Sequence, residues 1–81
     1  MRKIEKDTWY SASGAWKIFY QILEIDEHYT IDVLLYKNSN GHWKRYSTNK
    51  KLPQYVNEEL VRIYNHYNNN YRFKKVMQTA E

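Results

Sequence analysis

ILEIDEHYTIDVLLY, residues 22–36, is the stretch on which the fold turns. Two runs of branched and aromatic residues, of the kind strands prefer, are separated by Asp26-Glu27-His28, which reads as a turn. The first run extends back to Trp16, giving one strand over 16–25 and a second over 29–36. Side chains alternate faces along a strand and directly paired residues share a face, so the length of this turn decides which side chains meet. A turn of about three residues sets Leu23 opposite Ile31 and Phe19 opposite Leu35. One face then carries Phe19, Leu23, Ile25, Ile31, Val33 and Leu35, nearly all apolar, and is the expected core. The other carries Trp16, Ile18, Tyr20, Ile22, Asp32, Leu34 and Tyr36.

Downstream, Asn38-Ser39-Asn40-Gly41 supplies residues that tolerate positive φ, as a tight hairpin turn demands, and His42–Ser47 follows as a third strand. A turn of two or of four residues gives the same parity: Trp43 and Arg45 join the face of Trp16, Tyr20 and Tyr36, while His42, Lys44 and Tyr46 face the other way. Pro53 suits a first helical position because its missing amide hydrogen would be unpaired there; Asn57 is a second possible start. Val56, Leu60, Ile63 and Tyr67 form one stripe of an amphipathic helix, with Glu58 and Glu59 towards its start and His66 towards its end. Asn68-Asn69-Asn70 is the expected stop, and Tyr71–Met77 reads as a last strand. The expected fold is α+β, a small antiparallel sheet in β-β-β-α-β order with one helix on one face; residues 1–15 form a flexible arm and 16–81 the single domain. One helix covers one face only, so the second awaits the arm, another copy of the chain or a partner.

Composition narrows the function classes. The chain is 81 residues long and has no cysteine, so neither a disulfide framework nor thiolate chemistry is open to it. Its start is charged and it has no apolar run of membrane-spanning length, which suits a soluble cytoplasmic protein. With two glycines it cannot build a nucleotide-binding loop, and His28, His42 and His66 have no metal-ligand spacing, so no cofactor or metal is expected. Glu58 and Glu59 are adjacent on a helix and diverge, unlike a hydrolytic carboxylate pair. Three tryptophans, nine tyrosines and two phenylalanines are many for this length, although the Lys, Asn, Tyr and Ile bias also fits AT-rich coding.

Charge is segregated: from Ile18 to Tyr36 the only charged residues are Glu24, Asp26, Glu27 and Asp32, and from Lys37 to Asn57 only Lys37, Lys44, Arg45, Lys50 and Lys51. The candidate partner-binding residues are therefore Trp16, Tyr20, Tyr36, Trp43, Arg45, Lys37 and Lys44, with Lys50 and Lys51 as secondary basic contacts. Tryptophan, tyrosine and arginine are the types that carry most interface energy. The expectation is a stand-alone, non-catalytic binding protein that occludes or modulates a protein or nucleoprotein target, like the small inhibitors that phages and mobile elements encode, with a homodimer as one use of the free face. The alternative is a single-stranded nucleic-acid binder working through the same rings and cations. A metal-independent ribonuclease built on His42, Lys44, Arg45 and Tyr46 ranks lower, because alternation sends Arg45 away from the other three.

Overall fold

A computed structural model describes residues 1–74. Four strands precede one helix: β1 (Arg2–Tyr10), β2 (Trp16–Ile25), β3 (His28–Ser39), β4 (His42–Arg45) and α1 (Gln54–Asn70). The strands form an antiparallel sheet in the order β1-β2-β3-β4, so each pairs with its neighbour in sequence. The α+β class agrees with the sequence, but the element order differs from β-β-β-α-β. The stretch that reads as an arm holds β1, paired with β2 from Arg2↔Glu24 to Tyr10↔Lys17 with an irregularity between Lys3 and Glu5. Its connection to β2 is tied down: Ser11 is buried, its hydroxyl accepts the Trp16 amide at 3.0 Å, and the Ala15 carbonyl accepts the Asn38 amide at 2.8 Å. The strand expected over 71–77 begins instead as a turn at 71–73, and its later part lies outside the described residues.

The decisive difference is in the first hairpin. Ile25 pairs with His28, so the turn has two residues, Asp26 and Glu27, with φ of 51° and 66°. Positive φ at both central positions belongs to the turn whose twist matches its flanking strands. Against the expected register, β2 slides by one residue: Phe19 pairs with Leu34, and Leu23 with Thr30. A slip of one exchanges a strand's faces. Ile31, Val33 and Leu35 stay on the helix side as expected, but they are joined there by Trp16, Ile18, Tyr20 and Ile22 rather than by Phe19 and Leu23. The second hairpin turns on Asn40 and Gly41, at φ 54° and 84°, and keeps its expected parity.

The helix lays the stripe predicted for it, Val56, Leu60 and Ile63, on Trp16, Ile18, Tyr20, Ile22 and Leu35. Ile18, Ile22 and Val56 lose all exposure, each contributing about 1.5–3 kcal/mol of apolar burial. Pro53 lies one position earlier than expected, as the N-cap, and its carbonyl accepts the amides of Val56 and Asn57, both at 3.1 Å. The asparagine run does not stop the helix; Asn68–Asn70 completes it, and the cap at Tyr71 has a φ of −133°, outside the left-handed region. No helix among the described residues is long and apolar enough to cross a membrane.

Candidate functional site

Alternation and register together compose the face opposite the helix. Cross-strand rows there run Lys3–Leu23–Thr30, Lys6–Gln21–Asp32, Thr8–Phe19–Leu34 and Tyr10–Lys17–Tyr36–Arg45, with Trp43 beyond the last row opposite Asn38. Among the described residues no element packs on this side; the helix stripe and all but one of the deeply buried strand side chains belong to the other face, the exception being Leu23. Phe19, Leu34, Tyr36 and Trp43 are half-buried, and Tyr10 is 58% exposed.

The last row is a ladder of rings and cations. The Lys17 ammonium lies 4.7 Å from the Tyr36 ring centre and 4.8 Å from that of Trp43; the Arg45 guanidinium lies 5.8 Å from the Tyr36 ring centre. The Tyr10 and Trp43 rings are 6.0 Å apart and tilted by 54°. These contacts fall within cation–π and aromatic pairing range. Among the described residues neither the Tyr36 hydroxyl nor the Trp43 indole nitrogen has a protein hydrogen-bond partner. Around the edge of β1, Trp9, Tyr10, Ala12, Ser13 and Tyr55 line a mostly apolar groove of about 570 Å³.

Of the residues singled out from sequence, Tyr36, Trp43 and Arg45 meet on this face. Trp16 and Tyr20 do not. Trp16 is 5% exposed and edge-on to Tyr46 at 5.0 Å, and Tyr20 is 7% exposed, both under the helix because of the two-residue turn. Lys37 and Lys44 pair with each other on the helix side, where Lys37 lies 5.4 Å from the Trp16 ring and 5.8 Å from Tyr46. Lys50 stacks on Tyr46 at 5.3 Å, and Lys51 is exposed beside it in the loop before the helix. Tyr10 and Lys17 are site residues that the sequence did not yield. The signal for Lys17 was the parity of β2, which a shorter first turn would have given; Tyr10 lies in the stretch read as an arm, whose pairing with β2 the sequence did not announce.

The helix side has its own polar centre. The Glu5 carboxylate accepts the Tyr20 hydroxyl at 2.7 Å and the Tyr71 hydroxyl at 2.9 Å, and its Oε2 lies 2.9 Å from the His66 Nε2. Partial burial pushes the Glu5 carboxyl up, but these hydrogen bonds and the charge of His66 outweigh it and hold the group below its ordinary range. Burial, then the bond to Glu5 and its charge, pushes the Tyr20 phenol up to about 12, and Tyr71 is raised for the same reasons. His66, expected only as a residue near the helix end, ties the end of α1 to β1. Sequence spacing gave no sign of this cluster, whose members lie 15, 61 and 66 positions from Glu5.

Comparison of the chain with protein-family models, with curated proteins and with solved structures gives no match. The functional reading therefore rests on the geometry of the two faces.

Proposed function

We propose that this chain is a non-catalytic binding protein that occludes or modulates a protein or nucleoprotein target through the open face of its sheet. One observation carries the reading: Tyr10, Lys17, Tyr36, Trp43 and Arg45 form a continuous row of rings and cations on a face against which no described element packs. A contiguous exposed patch rich in tyrosine, tryptophan and arginine is the composition of an interaction surface. The basic hairpin adds Lys37, Lys44, Lys50 and Lys51 at the same end, so a partner meets positive charge wherever it overlaps the rim. The acid–base groups that do converge, Glu5 and His66, bond to each other and to two tyrosines, an arrangement that fastens strand to helix. His42, Lys44 and Tyr46 sit on the helix side, away from Arg45, which weakens the ribonuclease alternative.

Immobilised chain tests the reading by capture from the extract of cells that express it. Tyr36→Ala/Trp43→Ala is expected to lose the captured species, whereas Val61→Ala/Tyr64→Ala, on the exposed side of the helix, retains it. Equal capture by wild type and both variants would sink the proposal. Light scattering supplies a second arm: a dimer that the open-face variant converts to monomer would mean that the face serves self-association.

A further inference from the structure

We infer that the occupant of the ring-and-cation end of the open face is a single strand of nucleic acid, its bases stacked on Tyr36 and Trp43 and its phosphates drawn to Lys17 and Arg45. This rests on the reading that the open face is the binding surface, and it identifies the part of a nucleoprotein that the face would grip. Three features of the molecule converge on it.

Lys17 lies over the rings of Tyr36 and Trp43, and Arg45 over that of Tyr36, so a base that stacks on either ring displaces a flexible cation, which is then placed to meet the adjacent phosphate. That is the requirement of a strand whose planar bases and charged phosphates recur with every unit. Carboxylates, which would repel such a strand, are kept away. Along β3, Asp32 is four residues from Tyr36, about 13 Å at strand rise. Asp26 and Glu27 lie at the far turn, and Glu5 and Asp7 share the helix side with Ile22 and Tyr20. The aromatic track also continues past the row: Tyr10 belongs to it and to the groove walled by Trp9 and Tyr55, and Tyr55 is 47% exposed. A protein partner would have to bring carboxylates to Lys17 and Arg45 and apolar groups to the rings between them; a single strand satisfies both with one repeating unit.

Fluorescence anisotropy with labelled oligo-dT and oligo-U, and with a duplex of the same length, tests this at low and at raised salt. Both single strands are expected to bind at low salt and to weaken as salt rises, with the duplex far weaker because its bases are already stacked. Tyr36→Ala and Trp43→Ala each lower affinity about 5- to 150-fold, Trp43→Phe retains most of it, and Val61→Ala/Tyr64→Ala leaves it unchanged. Arg45→Gln makes the log–log salt slope shallower by about 0.7, one phosphate contact on a single strand. Circular dichroism and a denaturation curve for each variant separate loss of binding from loss of fold. Duplex binding as tight as single-strand binding overturns the inference, as does single-strand binding that the ring variants leave unchanged. If neither probe binds while Tyr36→Ala/Trp43→Ala still abolishes capture from extract, the single strand is wrong and the open-face reading stands on a protein target; if capture is also unaffected, both fall.

Discussion

The two faces of this sheet draw on the same residue types and end in opposite conditions. Under the helix, Trp16, Ile18, Tyr20 and Ile22 present two rings and two isoleucines; on the other side, Phe19, Leu34, Tyr36 and Trp43 present three rings and a leucine. Ile18 and Ile22 are fully buried, whereas all four of the second set keep partial exposure. Hydrophobicity alone therefore does not select the core. The core is the face on which α1 lies, and that face also supplies partners for its tyrosine hydroxyls. Beneath the helix, the Tyr20 hydroxyl reaches Glu5 and the Tyr67 hydroxyl reaches the Tyr29 carbonyl at 2.8 Å. On the open face, lysine and arginine lie among the rings in place of a covering element.

The largest expected effect separates the faces by stability. Ile18→Ala removes a fully buried side chain between β2 and α1 and is expected to cost about 2–5 kcal/mol in urea denaturation. Phe19→Ala, the next residue but on the open face, loses only partial burial, and about 1 kcal/mol is expected. If the two substitutions cost the same, the open face is a second core and the distinction between the faces collapses.

Next in size is the polar centre, which belongs to the covered face alone. Glu5→Gln weakens charge-assisted bonds to Tyr20, His66 and Tyr71 and is expected to destabilise by about 2 kcal/mol. Its pH dependence follows from sign. A carboxyl held below its ordinary value of 4.5 stabilises the fold above that pH, and the stabilisation is lost as pH falls through the lower, folded-state value. Wild type should therefore lose stability on acidification below about pH 4.5 more steeply than Glu5→Gln, in melts taken across that range. The test fails if the two profiles are parallel.

Tyr20 gives the mirror-image limb and a smaller effect. Its phenol is raised from 10.0 to about 12, so its contribution is complete below pH 10 and is lost as pH rises towards 12. Tyr20→Phe is expected to cost about 1 kcal/mol at neutral pH and to flatten the alkaline limb. Tyr36→Phe on the open face, whose hydroxyl bonds to no described residue, should leave stability at neutral pH unchanged.

How far the molecule could be read from residues alone turns on two hairpins. Asn40-Gly41 announces itself, because glycine and asparagine accept positive φ, and the parity it fixes placed Trp43 and Arg45 correctly. The helix stripe was equally plain from its spacing, and with it the α+β class. Asp26-Glu27 carries no glycine, yet it takes the same conformation at φ 51° and 66°. Nothing local distinguishes that from a three-residue turn; tertiary burial of Ile18 and Ile22 under α1 decides it, and the error of one residue moved Trp16 and Tyr20 from the core to the open face. The Glu5 cluster was out of reach for another reason, since it joins segments that are far apart in sequence.

The smallest prediction tests that account directly. A β-branched or long side chain in the left-handed region is strained by roughly 1–2 kcal/mol, and Glu27 bears this at φ 66° on an exposed tip. Glu27→Gly relieves the strain against glycine's greater unfolded-state entropy, leaving a net gain of about 0.5 kcal/mol. Gly41→Ala is the reciprocal change: no atom lies within 4 Å of the added methyl, so its loss comes from φ 84° alone and should be about 1 kcal/mol. Opposite signs in paired denaturation curves mean that both turns are held in the two-residue form, one helped by its sequence and one imposed by the core. A loss at Glu27→Gly would mean instead that the glutamate side chain contributes to the turn, and the register of β2 would then be set locally rather than by the helix.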